Sequence, residues 1–239
     1  MVKVALIDLD GTVYEGNQLI EGAIEAIVNL RKHGVKVIFC TNNSSVPPER
    51  IVKKLNNMGI ECQEDELLSS IEMMVIHIKS HQIKKVYVCG SEAVIDYCRS
   101  SGVDLCDEMD CDNLVISMDV DYNYEKMTRA VRAALKAENI MVCNQDKLFS
   151  TEEGVHPGCG AIVSSILFVT NKKPNIVIGK PSTIMIDYIA KKYGLEPEDI
   201  VVIGDGKESD IQMAKDYGSR YIFIGEDVKT IKDIAEWNY

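Results

Sequence analysis

The chain has 239 residues, 46% hydrophobic and 26% charged, a composition that suits a soluble globular protein and not a disordered or fibrous one. Its 37 acidic residues against 26 Lys and Arg give a formal charge of −11, which does not suit a nucleic-acid backbone or an anionic membrane as main partner. No apolar run approaches the roughly 20 residues that span a bilayer.

Apolar, strand-like runs alternate with helical periodicity along the whole length. Residues 2–7 form a near-continuous apolar run, and residues 21–33 then read as a helix stopped by Gly34. Residues 35–40 are the next strand, followed by a helix over 47–58 that Gly59 closes. The middle of the chain continues with strand-like runs at 85–89, 113–117 and 140–143, a helix from Ser91 and a long helix over 124–137. A short strand at 176–178 follows, then a helix at 182–193, a strand at 200–203, a helix at 209–217 and a strand at 221–224. This β-α-β-α rhythm predicts an α/β fold with a parallel sheet covered on both faces. Periodicity alone leaves open whether the middle extends that sheet or forms an inserted domain.

The N-terminus, Met1-Val2-Lys3-Val4-Ala5-Leu6-Ile7-Asp8, is too short and charged too early for a signal peptide, so a cytoplasmic address is expected. The eight cysteines agree with it: none forms a C-x-x-C pair, and Cys40, Cys89 and Cys143 fall in or at the end of apolar runs, where reduced, buried thiols are expected. His77 and His81 have the spacing of two ligands on one helix face. They lack the glutamate of a zinc-peptidase motif, and an ordinary amphipathic helix accounts for them. Met73, Met74 and Ile78 read as core residues of that helix.

The polar residues that could do chemistry follow the strand-like runs. The first run ends in Asp8-Leu9-Asp10-Gly11-Thr12, the second in Thr41-Asn42-Asn43, a later one in Gly179-Lys180-Pro181-Ser182, and another in Gly204-Asp205, with Asp210 close behind. Ligands of open α/β sheets bind at the carboxyl ends of parallel strands. Each motif alone is an ordinary turn; four of them in this order could build one site. Asp8, Asp10, Asp205 and Asp210 in one pocket would repel, since two like charges about 4 Å apart cost about 4 kcal/mol at an effective dielectric near 20. A hard divalent cation removes that conflict, and oxygen-only ligands favour Mg²⁺. Lys180 adds positive charge, while Thr41 and Asn42 offer a hydroxyl, an amide and backbone N–H groups suited to phosphate oxygens. Such a pocket is built for a phosphoryl group. Residues two apart on an extended segment project to one side, so Asp8 can attack phosphorus while Asp10 protonates the leaving oxygen and later activates water.

These residues resemble the haloacid dehalogenase superfamily of phosphohydrolases. D-L-D-G-T-V looks like its first motif, Thr41 its second, Lys180 its third and G-D-x-x-x-x-D its fourth; V-I-F-C-T-N-N-S, S-T-E-E-G-V-H-P-G-C-G-A-I-V and V-I-G-K-P-S look like its NagD-like, p-nitrophenylphosphatase branch. The resemblance implies a Rossmann-like core, residues 1–81 and 175–239, interrupted by a mobile α/β cap over residues 82–174. It implies Asp8 as nucleophile, Asp10 as acid/base, and Mg²⁺ held by the Asp8 side chain, the Asp10 carbonyl and Asp205, with Asp210 assisting directly or through water. Thr41, Asn42 and Lys180 would hold the phosphate.

Relatives often carry G-D-x-x-x-T-D; here Ser209 precedes Asp210, which keeps a hydroxyl, and Gly206 follows Asp205, which is expected to loosen that loop. Lys207 and Glu208 read as a solvated turn. Asn144-Gln145-Asp146 looks like the opening of the family's specificity loop, running to Pro157, and Asp146 and His156 are candidate leaving-group contacts, with surface turn residues as the plain alternative. Gly158 and Gly160 suit a tight helix entry, and Tyr122 and Tyr124 suit packing anchors. The expected activity is a Mg²⁺-dependent phosphatase acting on small phosphorylated metabolites such as nucleoside monophosphates, sugar phosphates or p-nitrophenyl phosphate. A phosphomutase, or a phosphometabolite-binding regulatory protein without catalysis, is the alternative. The resemblance also suggests a homodimer joined through the caps.

Overall fold

A computed structural model describes residues 2–151 and 154–236; Glu152 and Glu153 of the S-T-E-E-G-V-H-P segment lie outside the described residues. The first apolar run becomes β1 (Val4–Ile7). A short hairpin, β2 (Tyr14–Glu15) and β3 (Gln18–Leu19), leads to α1 (Ala23–Lys32), β4 (Lys36–Thr41), α2 (Pro48–Asn57), β5 (Leu67–Ser69) and α3 (Ser70–Ser80). Next come β6 (Val86–Cys89), α4 (Glu92–Ser100), β7 (Asn113–Ile116), α5 (Tyr124–Lys136) and β8 (Asn139–Val142), then the antiparallel pair β9 (Leu148–Thr151) and β10 (Gly154–Pro157). The chain ends with α6 (Cys159–Thr170), β11 (Ile176–Val177), α7 (Ile184–Tyr193), β12 (Ile200–Gly204), α8 (Gln212–Tyr217) and β13 (Arg220–Phe223).

The strands form two parallel sheets. The first has the order β13-β12-β1-β4-β5 and the second β11-β8-β7-β6. Alternation along β1 divides its side chains between two cores. Ala5 and Ile7 pack with α1 and α2 through Ala26, Ile27, Leu30, Ile51 and Leu55. Val4 and Leu6 face the other way, onto Ile71, Met74 and Ile78 of α3 and Met185 and Ile189 of α7. That second core continues without a break to Val86, Val88, Val115 and Met141 of the second sheet. The outer face of the second sheet, Leu114, Ile116, Ile140 and Val142, is covered by α5 and α6. Helices α3 and α7 therefore serve both sheets.

Three features differ from the sequence expectation. The strand at 176–177 pairs with β8 of the second sheet, so that sheet runs past residue 174; a two-residue apolar run carries no mark of which sheet it joins. The stretch before Pro157 is a paired strand and not an irregular loop, because Leu148–Thr151 meets Gly154–Pro157 in register. The helix expected from Ser209 opens as a π-helical turn over Lys207–Ile211 before α8 begins. The His77 and His81 rings lie 4.1 Å apart between centroids, tilted by 32°, and His81 Nδ1 lies 2.9 Å from the His77 carbonyl. All eight cysteines are free thiols.

Candidate active site

Register brings the motifs together. Ile7 of β1 lies level with Ile203 of β12 and Phe39 of β4, so Asp8, Gly204 and Cys40 stand side by side at one height. The Asp8 amide donates to the Ile203 carbonyl at 2.9 Å. Lys180 enters from the segment that follows β11, the edge strand of the second sheet. Its Nζ lies 2.5 Å from Asp8 Oδ1 and 2.6 Å from Asp210 Oδ1, and donates to the Cys40 carbonyl at 3.0 Å. Asp8, Lys180 and Asp210 form a buried floor, at 8%, 3% and 1% exposure, while Asp10 and Asp205 stand exposed at the mouth.

Tight turns hold these carboxylates. Gly11 sits at φ +86°, where a Cβ would overlap the Asp205 carboxylate, so the D-G turn and Asp205 share a space only glycine leaves open. Thr12 Oγ1 donates to Asp205 Oδ1 at 3.3 Å. Gly206 does not loosen its loop as expected: its amide donates to Asp210 Oδ2 at 3.2 Å, and Ser209 Oγ donates to the same oxygen at 3.1 Å. The hydroxyl kept at Ser209 thus closes the turn around Asp210.

One oxygen from each of Asp8, Asp205 and Asp210 lies within 4.8 Å of the others, the one such cluster of metal-ligating side chains among the described residues. Three carboxylates face one ammonium, leaving two negative charges in excess. Burial pushes the Asp8 carboxyl well above the ordinary range, Asp210 adds to the rise, and Lys180 opposes it. Burial and then Asp210 raise Asp205 as well. Burial alone would strip the proton from Lys180, but Asp210 and Asp8 together outweigh it and hold the ammonium protonated. The surplus charge and the oxygen-only donor set fit a hard divalent cation.

Thr41 is buried, and its Oγ1 accepts the Asn43 amide at 3.0 Å. The Asn42 side chain is bonded on both sides: Oδ1 accepts the Lys180 amide at 2.8 Å, and Nδ2 donates to the Lys180 carbonyl and to Asp146 Oδ1, each at 3.0 Å. Asp146 therefore reaches the site through Asn42, and burial raises its carboxyl while the Asn42 bond lowers it. His156 lies on β10 with its ring stacked on Phe149 of β9, centroids 5.5 Å apart.

Two neighbours of Asp10 were missed in the sequence. Tyr14, at 1% exposure, hydrogen-bonds the Asp10 side chain through its hydroxyl. Lys54 Nζ sits 3.6 Å over the Tyr14 ring and donates to the Gly16 carbonyl at 2.7 Å. Burial raises Asp10 while Lys54 and then Lys180 pull it down. Tyr14 carries a signal, being the last residue of D-G-T-V-Y; Lys54 carries none, because α2 brings it from forty residues away.

A haloacid dehalogenase-like hydrolase family model matches residues 5–104, and a related HAD-hydrolase-like model matches residues 177–239. The sugar-phosphatase AraL of Bacillus subtilis is 36% identical over 221 residues, 92% of this chain and 81% of that protein. The acid sugar phosphatase of Staphylococcus saprophyticus is 32% identical over 235 residues, 98% of this chain and 90% of that protein. Among solved structures, a p-nitrophenyl phosphatase from Archaeoglobus fulgidus superposes with a TM-score of 0.90 at 27% identity, covering 98% of both chains.

Proposed function

This chain belongs to the haloacid dehalogenase-like hydrolase family and is a phosphatase, and from that premise we propose that it hydrolyses sugar phosphates and related small phosphomonoesters through an aspartyl-phosphate on Asp8. The observation that carries the proposal is the convergence of Asp8, Lys180, Asp205 and Asp210 at the carboxyl ends of adjacent strands.

Asp8, with Asp205 and the Asp10 carbonyl, would hold Mg²⁺, and the bound ion supplies neutralisation of negative charge at the phosphate. Asp210 bonds Lys180, Gly206 and Ser209 with its two oxygens and would assist at the ion directly or through water. Lys180, Thr41 and the backbone of Asn42 hold the phosphate oxygens. An Asp8 oxygen attacks phosphorus as the bond to the leaving oxygen breaks, and Asp10 gives that oxygen its proton. Water then attacks the same phosphorus, gives its proton to Asp10, and the bond to Asp8 breaks to release inorganic phosphate. Asp10 at the exposed mouth is open to the leaving group and to water, whereas Asp8 is buried on the floor.

Residues 82–174, with the strand at 176–177 that completes their sheet, are assigned to a cap over the phosphate site. Two copies are inferred to pair through α5 and α6, which leave Tyr124, Leu135, Phe168 and Val169 exposed on the outer side of the second sheet. The eight free thiols support a cytoplasmic address; among the described residues no helix is long and apolar enough to cross a membrane.

The test is phosphate release from pentose and hexose phosphates, glycerol phosphate and p-nitrophenyl phosphate, with Mg²⁺ or with a chelator. Release with the ion and none with the chelator is expected. No release from any ester in either condition contradicts the proposal.

A further inference from the structure

Asn42 makes three side-chain hydrogen bonds, and every partner is more than a hundred residues distant in sequence. Two of them bracket one residue. Oδ1 takes the Lys180 amide at 2.8 Å and Nδ2 gives to the Lys180 carbonyl at 3.0 Å, so the amide spans both peptide groups as a neighbouring strand would. The chain fits against it only because residue 179 is glycine, where a Cβ would stand 2.5 Å from Asn42 Oδ1 and 2.6 Å from the Cys143 carbonyl. Asn42 is itself pinned: its carbonyl accepts from Asn144 Nδ2 at 2.6 Å and from Ser70 Oγ at 2.8 Å. A lysine side chain is long and freely rotatable, so where its ammonium comes to rest depends on where its backbone is held.

The third bond leaves the first sheet. Asn42 Nδ2 gives to Asp146 Oδ1 at 3.0 Å, from the segment that follows β8. The ends of β6 and β7 reach the same loop: Ser91 Oγ gives to the Ser45 carbonyl at 2.8 Å, Ser117 Oγ to the Ser44 carbonyl at 2.5 Å, and the Met118 amide to Ser44 Oγ at 3.1 Å. Three strands of the second sheet thus dock on residues 42–45.

We propose that Asn42 is a positioning residue for Lys180, and that Asp146 completes this clamp from the second sheet, so that the phosphate-binding lysine is held in place only when the two sheets are docked. The inference rests on the phosphatase reading above. It gives Asp146 a role that does not depend on the leaving group, whereas a direct leaving-group contact would depend on it.

The experiment compares kcat and KM on a pentose phosphate, glycerol phosphate and p-nitrophenyl phosphate for wild type, Asp146→Ala, Asp146→Asn, Asn42→Ala and the Asn42→Ala/Asp146→Ala double variant. Asp146→Ala is expected to lower kcat/KM about tenfold by the same factor on all three esters, since small misplacement of a group that must be held in place is costly. Asp146→Asn, whose side-chain oxygen still accepts from Asn42, stays within about twofold of wild type and so rescues the alanine variant. Asn42→Ala loses about a hundredfold, and adding Asp146→Ala to it costs nothing further, because Asp146 acts through Asn42. A loss at Asp146 that differs several-fold among the esters, an Asp146→Asn as impaired as Asp146→Ala, or losses that multiply in the double variant would each overturn the clamp. Should Asn42→Ala fail to fold, the two Asp146 variants decide the matter by themselves. A wild type that releases no phosphate defeats the phosphatase reading; a wild type that does, with the wrong variant pattern, defeats only the clamp.

Discussion

Without the Lys180 ammonium, Asp8 and Asp210 would face one another on a buried floor with no cation between them. Removing one partner of a buried ion pair costs about 3–5 kcal/mol, because it leaves uncompensated charge. Lys180→Met is therefore expected to lose activity and to destabilise the fold at pH 7 by about 3 kcal/mol in urea unfolding. The deficit should shrink at pH 5, where the orphaned Asp8 carboxyl, already raised by burial, takes up a proton; an equal deficit at both values contradicts this. Asp8, Asp10, Lys180 and Asp205 could be picked out as candidates in the sequence because each lies within three residues of the end of an apolar run, and strand ends are where a parallel sheet gathers ligands. The business of the Asn42 side chain could not, because its partners Lys180 and Asp146 come close only through the fold. Asn42 was expected to spend its amide on phosphate; the structure spends it on Lys180.

The same contrast holds for elements. Long apolar runs announced β1, β4 and β12, and α7 and α8 end at the expected residues 193 and 217, closed by the left-handed Gly194 and Gly218. The three residues of β5 and the two-residue strands β2, β3 and β11 are too short for any period to register. Helix α3 carries a testable feature of its own. Ser69 caps it by accepting the Glu72 amide at 3.3 Å, and the Glu72 carboxylate accepts the Ser69 backbone in return. The second carboxylate oxygen, Oε2, is buried with no partner, and burial pushes this acid from 4.5 up to about 7. The folded chain thus holds the Glu72 proton more tightly than the unfolded chain does. Stability is undiminished below pH 4.5, falls as pH rises through about 7, and stays reduced above it. Glu72→Gln removes the titration, so it should stabilise the protein at pH 8 by on the order of 2 kcal/mol and leave it unchanged near pH 4.5, as measured by denaturant unfolding. A pH-independent difference would contradict that assignment.

For the whole molecule, alternating runs announced parallel sheets but not how many, since the strands of both sheets are apolar; the division into core and cap is an expectation from the resemblance alone. The structure adds that one apolar core joins both sheets through α3 and α7. The outer helices of the second sheet leave Phe168 88% exposed. If copies pair there, Phe168→Glu should weaken dimerisation by about a hundredfold or more in sedimentation while leaving phosphate release per chain unchanged; an unchanged dimer would move the interface elsewhere. Mg²⁺ binding to the folded chain alone should raise its stability by about 2.7 kcal/mol at a hundredfold excess over Kd. A chelator should remove that gain and Asp205→Asn should largely abolish it; a thermal midpoint indifferent to the ion in wild type contradicts a metal site at Asp8, Asp205 and Asp210. The proposed turnover runs through a covalent bond between Asp8 and the transferred phosphoryl group. Its most direct test is acid quench during turnover, borohydride reduction and peptide mass spectrometry, since borohydride converts an acyl phosphate of aspartate to homoserine. Homoserine at position 8 in wild type, and none in Asp8→Asn, is the predicted result; steady phosphate release with Asp8 never modified would contradict it.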